Sequence, residues 1–206
     1  MYPSNRYPTD PAVADAFVAG QRHGTLIATD ADGFPQVSIL PFVKTGELIE
    51  VHCVRADPTF RAIQANPRVT FFVSDFLAFS PHDWIDPNDA GRATLHFRAV
   101  AFECEATLSV EPAEVAATLS RLVQAYEPGK HYLPIADDEM YGQRLLRLAA
   151  LKLQVVHTHA KFKEGPAAPP EDARARVVEG LRTRGGAGDA RAADVIQDAI
   201  RRARPA

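Results

Sequence analysis

The chain has 206 residues, of which 46% are hydrophobic and 24% are charged, and its formal net charge at pH 7 is -3. This composition excludes a disordered or fibrous protein, and the small negative charge excludes one that coats nucleic acid by electrostatics alone. No apolar run reaches the roughly 20 residues of a membrane span, and the first residues lack the apolar stretch of a signal peptide. We therefore expect a cytoplasmic protein without a membrane partner.

The first half of the chain is predicted to be mostly β-structure. Asp10-Pro11 begins a short helix that ends at Gly20, and strands are predicted at residues 25–29, 36–43 and 47–54. Asp57-Pro58 begins a brief helix that Asn66-Pro67 ends, and an apolar strand is predicted at residues 68–76. Residues 77–91 contain too many turn-forming residues for a regular element, and a long excursion of this kind is often functional.

The second half mixes strands and helices. A strand is predicted at residues 93–108, a helix after Glu111-Pro112, a second helix at 138–149 and a strand at 151–162. Residues 164–170 are predicted to form a proline-rich linker, and helices are predicted at 172–184 and 189–203. The pattern is mostly β with inserted and C-terminal helices (α+β), and an antiparallel barrel would hide the edges of its strands.

The linker also separates two parts of different charge. Residues 1–165 carry 15 Lys and Arg against 20 Asp and Glu, a net charge of -5, whereas residues 166–206 carry 8 against 6, a net charge of +2. We predict a domain at 1–165 and a linker with a C-terminal helical extension at 166–206. No basic recognition helix is visible in residues 1–165, so direct DNA binding is not expected there.

The first candidate site is the segment around Arg55. A strand that ends in arginine and leads into an Asp-Pro capped helix brings together a guanidinium, the Thr59 hydroxyl and unpaired helix N–H groups. These groups suit a phosphate monoester, so Arg55 and Thr59 are predicted to bind one. The alternative is an ordinary surface arginine.

Two further segments have two interpretations each. His157 and His159, followed on the same strand face by Lys161 and Lys163, indicate either a metal site or a solvated, anion-binding edge. The loop with His82, Asp83 and Trp84 either covers a planar ligand or is anchored to the barrel by its tryptophan. The two cysteines, Cys53 and Cys104, have no CxxC spacing and are predicted to be buried thiols.

Several motifs occur in an order that resembles a known family. They are Met1-Tyr2-Pro3 through Tyr7, residues 25–29 with Asp32-Gly33 and Pro35, residues 38–42, residues 52–58, Phe79-Ser80-Pro81 with Trp84, and residues 160–163. In these the chain is similar to the PaiB-type proteins, called FMN-binding negative transcriptional regulators, of the flavin split-barrel superfamily that includes pyridoxamine phosphate oxidases. The resemblance covers about residues 1–182.

The resemblance implies a homodimer of split β-barrels with FMN at the subunit interface. The phosphate is expected near residues 55–59 and the isoalloxazine ring along residues 38–41. The residues implied in cofactor binding are Ser38, Ile39, Leu40, Pro41, His52, Val54, Arg55, Ala56, Asp57, Thr59 and Lys161.

The resemblance leaves three hypotheses for function. The first is an FMN protein in which the flavin carries any redox step. The second is a haem enzyme, similar to piperazate synthases that form nitrogen–nitrogen bonds, with His52 as iron ligand and His82, His96 and His159 next in line. The third is a regulator that acts indirectly.

The chain departs from the PaiB pattern at four places, one of which is a spacing from Ser80-Pro81 to Trp84 that is one residue longer than usual. Residues 95–97 replace the usual Trp-Asn-Tyr, residues 74–77 replace Gly-Pro-His, and residues 164–167 replace Leu-Ser-Gln-Asn. These departures concern the ring contacts and the substrate pocket more than the barrel.

Overall fold

The computed structural model describes residues 7–167, 170 and 172–203. Its helices are Pro11–Ala19 (α1), Pro58–Ala65 (α2), Pro112–Tyr126 (α3), Gly142–Leu145 (α4), Ala173–Arg184 (α5) and Asp189–Arg202 (α6). Its strands are Gly24–Thr29 (β1), Pro35–Leu40 (β2), Val43–Thr45 (β3), Leu48–Val54 (β4), Arg68–Ser80 (β5), Thr94–Ser109 (β6) and Leu148–Lys163 (β7). None of the helices in these residues combines the length and the apolar character that a membrane span requires.

The seven strands form one antiparallel sheet in the order β2-β1-β5-β6-β7-β4-β3. The α+β class and the split-barrel type of fold are therefore confirmed. The hydrogen-bonded sheet is open in the part of the chain that is described, with β2 and β3 at its edges. In the simplest closed barrel the two edge strands would pair with each other. Here β2 and β3 do not pair, so both remain edge strands.

The chain divides into two compact units. One contains residues 1–14, 74–99 and 160–206, and the other contains residues 15–73 and 100–159. These units do not coincide with the predicted domain at 1–165 and extension at 166–206. That division remains a prediction. The Met1-Tyr2-Pro3 motif of the resemblance lies outside the described residues.

The larger unit, residues 15–73 and 100–159, has its core on the inner faces of β1, β4 and β7. In the β4–β7 ladder Val51 is paired with Leu151 and Ile49 with Leu153, and these four side chains are fully buried. On the opposite face of this ladder, Ala150 packs with Val115, Ala116 and Leu145. Strands β4 and β7 are therefore covered on both faces.

The unit of residues 1–14, 74–99 and 160–206 has a separate apolar core. Helices α5 and α6 form a pair linked by residues 185–188, and their buried residues pack with Leu77, Ala78 and Ile85. Ion pairs support this packing, because Asp75 accepts hydrogen bonds from Arg98 at 2.7 Å and from Arg191 at 2.7 and 2.9 Å. Within this unit, the C-terminal helices thus pack against Leu77, Ala78 and Ile85 in a core of their own.

Three predicted elements differ from the structure. The segment predicted at residues 77–91 to lack regular structure is shorter, because β5 continues to Ser80 and two 3-10 turns follow at His82–Trp84 and Ala90–Arg92. The predicted strand 36–43 is divided at Pro41 and Phe42 into β2 and β3, because proline lacks the N–H that a continuous ladder requires. The predicted helix 138–149 is wrong beyond its single turn at α4. Residues 148–151 pair with β4 instead, so tertiary packing decides the structure of this apolar run.

Candidate functional site

Strand β2 has an exposed apolar face at the edge of the sheet. Val37 is 60% exposed and Ile39 is 71% exposed, and they lie opposite Ile27 and Thr25 of β1. Because β2 is an edge strand, the main-chain groups on its outer side are not used by the sheet. The strand therefore combines a flat apolar strip with main-chain donors and acceptors. Leu40 and Pro41, at its end, are half-buried.

Three of the predicted site residues meet at the N-terminus of α2. Asp57 caps this helix by accepting a hydrogen bond from the Thr59 N–H at 2.8 Å. Ser38, on the inner face of β2, shares a hydrogen bond of 2.8 Å with the Thr59 hydroxyl and lies 3.4 Å from both Asp57 carboxylate oxygens. Ser38 and Thr59 are buried, so this network joins β2 to α2.

Arg55 is held against main-chain carbonyls. Its Nε donates to the Leu148 carbonyl at 2.9 Å and its Nη2 donates to the Val110 carbonyl at 2.7 Å. These bonds direct the guanidinium toward the ends of β7 and β6. The structure thus brings Ser38, Asp57 and Thr59 together but gives Arg55 different partners. Val54 and Ala56, on either side of Arg55, are exposed.

His52 lies on β4 opposite Ala150, on the face that carries Glu50. Its Nδ1 atom is buried and has no hydrogen-bond partner among the described residues. Burial lowers the pKa of His52, so the ring is neutral at pH 7. Glu50 is itself buried and accepts hydrogen bonds from Arg121 at 2.8 and 2.6 Å, an ion pair that the sequence did not indicate.

Three other histidines have different surroundings. His96 is fully buried, and its Nε2 shares a hydrogen bond of 2.9 Å with the Ser80 hydroxyl. His159 Nε2 lies 2.9 Å from Glu103 Oε1, and His157 is exposed. Among the residues that the structure describes, no group of three His, Cys, Asp or Glu is arranged to hold a metal ion. Lys161 is half-buried on β7 and belongs to the unit of residues 1–14, 74–99 and 160–206.

Trp84 packs against α5. A Cβ atom added at Gly180 would lie 2.4 Å from the indole, and the Arg184 guanidinium lies 5.1 Å from the centroid of the ring. In this structure Trp84 therefore anchors its loop to a C-terminal helix.

Both cysteines are free and buried, as predicted. Burial raises the pKa of Cys53 to about 11, with a contribution from the Asp57 charge, and raises that of Cys104 to about 12. Neither is a thiolate at pH 7.

Comparison with known proteins identifies the family. A family model described as "Putative FMN-binding domain" matches residues 1–157, about three quarters of the chain. The chain belongs to this FMN-binding family. The match supports FMN as its cofactor. Comparison with curated proteins gives no match.

Solved structures with the same fold as this FMN-binding chain include flavin and haem proteins. The FAD- and haem-binding protein from Mycobacterium smegmatis has a TM-score of 0.62 and 15% identity, covering 83% of this chain and 80% of that one. A flavocytochrome from Azotobacter vinelandii has a TM-score of 0.60 and 18% identity, covering 84% and 80%. A conserved hypothetical protein from Mycobacterium tuberculosis has a TM-score of 0.56 and 20% identity, covering 79% and 91%.

The structure of this FMN-binding chain also contains polar residues that sequence reasoning missed. Lys44, Arg22 and Tyr126 line a cavity in the larger unit. The Tyr126 hydroxyl accepts a hydrogen bond from the Phe42 N–H at 3.0 Å and donates to the Arg22 carbonyl. A contact between residues so distant in the sequence leaves no local pattern, so no sequence signal indicated this group.

Proposed function

We propose that the protein is an FMN-binding split-barrel flavoprotein of the PaiB type whose isoalloxazine ring lies along β2. The observation that carries the proposal is the exposed strip of Val37 and Ile39 on an edge strand, in a chain of the FMN-binding family. An apolar strip suits the face of the ring, and free main-chain groups suit its polar edge. Bound FMN would supply redox chemistry, and the protein positions it and tunes its electronics.

The residues expected to bind the FMN phosphate offer fewer free groups than β2 offers to the ring. The Thr59 N–H and hydroxyl are already bonded to Asp57 and Ser38, and the carboxylate of Asp57 repels a phosphate. Arg55 uses its Nε and one N–H of Nη2, which leaves Nη1 without a hydrogen bond to the described residues. We propose that the Nη1 end of Arg55 binds the phosphate, with its orientation fixed by the Leu148 and Val110 carbonyls.

We also propose a homodimer with the flavin at its interface. Exposed apolar side chains that adjoin one another are uncommon on a monomer surface, and Val37 and Ile39, on one face of β2, are 60% and 71% exposed. A second copy of the chain would cover this surface. Sedimentation equilibrium is expected to give a mass of about two chains, whereas a monomer at micromolar concentration would contradict the dimer.

The experiment for FMN is a titration of the full chain followed by absorption and fluorescence. Uptake of FMN is expected to give the two visible bands of oxidised flavin and to quench its fluorescence. Ile39→Asp is expected to weaken FMN binding at least about tenfold, because a carboxylate would replace the apolar contact with the ring. Ile39 is 71% exposed, so this change leaves the core intact.

The matched control is Leu133→Asp, since Leu133 is 64% exposed and lies outside the proposed site. It is expected to bind FMN as the wild type does. A chain that takes up no FMN contradicts the flavin proposal, and equal affinity of Ile39→Asp and wild type contradicts the position of the ring.

A haem protein is the second candidate, and the unpartnered Nδ1 of His52 favours it. A neutral imidazole is the form that binds iron, and burial keeps His52 neutral. Reconstitution with haemin is expected to give a Soret band that His52→Ala abolishes and His157→Ala, at an exposed position, does not. An unchanged band in His52→Ala would contradict His52 as the ligand.

A further inference from the structure

The larger unit contains a cavity that shares no residue with the proposed flavin site. Its volume is about 450 Å³, in the range of small-molecule sites. Val18, Phe42, Val43 and Ala125 form its apolar walls, and Lys44, Arg22, Asp15 and Tyr126 are among its polar residues. The cavity therefore combines an apolar lining with charged groups of both signs.

Lys44 is a largely buried cation with weak pairing. Its side chain is only 15% exposed, and its Nζ lies 5.7 Å from the centroid of the Phe102 ring. Its carboxylate partner, Asp15 Oδ1, lies 3.4 Å away, which is longer than a strong charge-assisted hydrogen bond. An ammonium group has three N–H donors, and a buried one needs anionic or hydrogen-bonding partners to offset its desolvation. The cavity beside it has room for such a partner.

Asp15 is a poor permanent partner, because its side chain is 67% exposed and well solvated. Arg22 provides a second positive charge, and its guanidinium lies 5.5 Å from the centroid of the Tyr126 ring. The Tyr126 hydroxyl is engaged with the main chain at Phe42 and Arg22, so it fixes this wall of the cavity. Two cations and one solvated carboxylate leave the cavity with a net positive charge.

We propose that this cavity binds a small aromatic carboxylate, with Lys44 as its ion-pair partner. The ring of the ligand would contact Val18, Phe42 and Val43, and its carboxylate would replace Asp15 at Lys44. Charge and shape select the ligand together, because an uncharged ring leaves Lys44 without a partner and a bare anion leaves the apolar walls uncovered.

The test uses benzoate as the probe, with the full chain and isothermal titration calorimetry. Benzoate is expected to bind saturably, and benzamide, its uncharged analogue, at least about tenfold more weakly. Lys44→Met is expected to lower benzoate affinity by at least about tenfold, and Lys44→Arg to restore most of it. Lys130→Met, at a side chain that is 69% exposed, is the control and leaves binding unchanged.

Asp15→Asn is a second test variant, and its result does not depend on whether the Lys44 variants are stable. Removal of the competing carboxylate is expected to strengthen benzoate binding severalfold, and Asp15 is exposed enough for the fold to be retained. The proposal is overturned if benzoate does not saturate below about 10 mM, if benzamide binds equally well, or if Asp15→Asn binds benzoate no better than wild type. FMN binding is measured on the same samples. A failure to bind benzoate can therefore be distinguished from a failure to bind FMN.

Discussion

Individual residues in this protein take their roles from tertiary partners. Arg55 was predicted from its place at the end of a strand, and it does stand there, but two carbonyls that lie far along the chain determine where its guanidinium points. Ser38 and Thr59 are 21 residues apart in the sequence, and the structure joins them through a hydrogen bond of 2.8 Å. The local sequence thus identified the polar residues at and just before the start of α2. The hydrogen-bond partners of these residues are determined by the tertiary structure.

The buried His96 makes stability depend on pH. Burial, with a smaller effect of the Lys163 charge, lowers the pKa of His96 to about 4 in the folded protein. The unfolded chain binds a proton near pH 6.5, so between pH 6.5 and pH 4 it holds more protons than the folded state does. The contribution of His96 to the free energy of unfolding is therefore complete above pH 6.5 and is lost, by about 3 kcal/mol, as the pH falls to 4.

Urea unfolding at a series of pH values checks this expectation. In His96→Gln the decline between pH 6.5 and pH 4 is expected to be shallower, because glutamine does not titrate. His157→Gln, at an exposed position, is the control and should keep the wild-type slope. Equal slopes for His96→Gln and wild type would remove His96 as the cause.

At the scale of elements, the turn and cap signals and most of the strands were predicted correctly, whereas the apolar run before β7 was not. The Asp-Pro cap of α2 and the start of α3 were visible, because capping depends on neighbouring residues. The run around Leu145 to Leu151 has no period that separates a helix from a buried strand, and pairing with β4 made most of it β7. The exposed strip of β2 could not be inferred, since the sheet edge at which it lies is a property of the topology.

The cap of α2 gives a prediction at this scale. Asp57→Ala removes the acceptor of the Thr59 N–H and is expected to cost about 1 kcal/mol of the free energy of unfolding. Asp57→Asn keeps a side-chain oxygen and is expected to cost much less. Denaturant unfolding of the two variants measures the difference, and an equal loss in both would show that the charge and not the acceptor stabilises the helix.

At the scale of the whole molecule, the folded structure extends beyond the residues that match the family. The FMN-binding match ends at residue 157, whereas α5 and α6 supply seven of the ten buried residues of a core that also includes Leu77, Ala78 and Ile85. The proline-rich linker and the changed charge after residue 165 predicted a distinct extension. They could not show how it packs, because those three partners lie in segments far earlier in the sequence.

The last prediction concerns this C-terminal core. Leu181 is fully buried in it, so Leu181→Ala is expected to cost about 2–5 kcal/mol through lost contacts and a cavity. Glu179→Ala, on the exposed face of the same helix, is expected to stay within about 0.5 kcal/mol of wild type. Thermal and urea unfolding measure both. If Leu181→Ala and Glu179→Ala had the same free energy of unfolding, the packing of the C-terminal helices against Leu77 would not contribute to stability, and the prediction would be wrong.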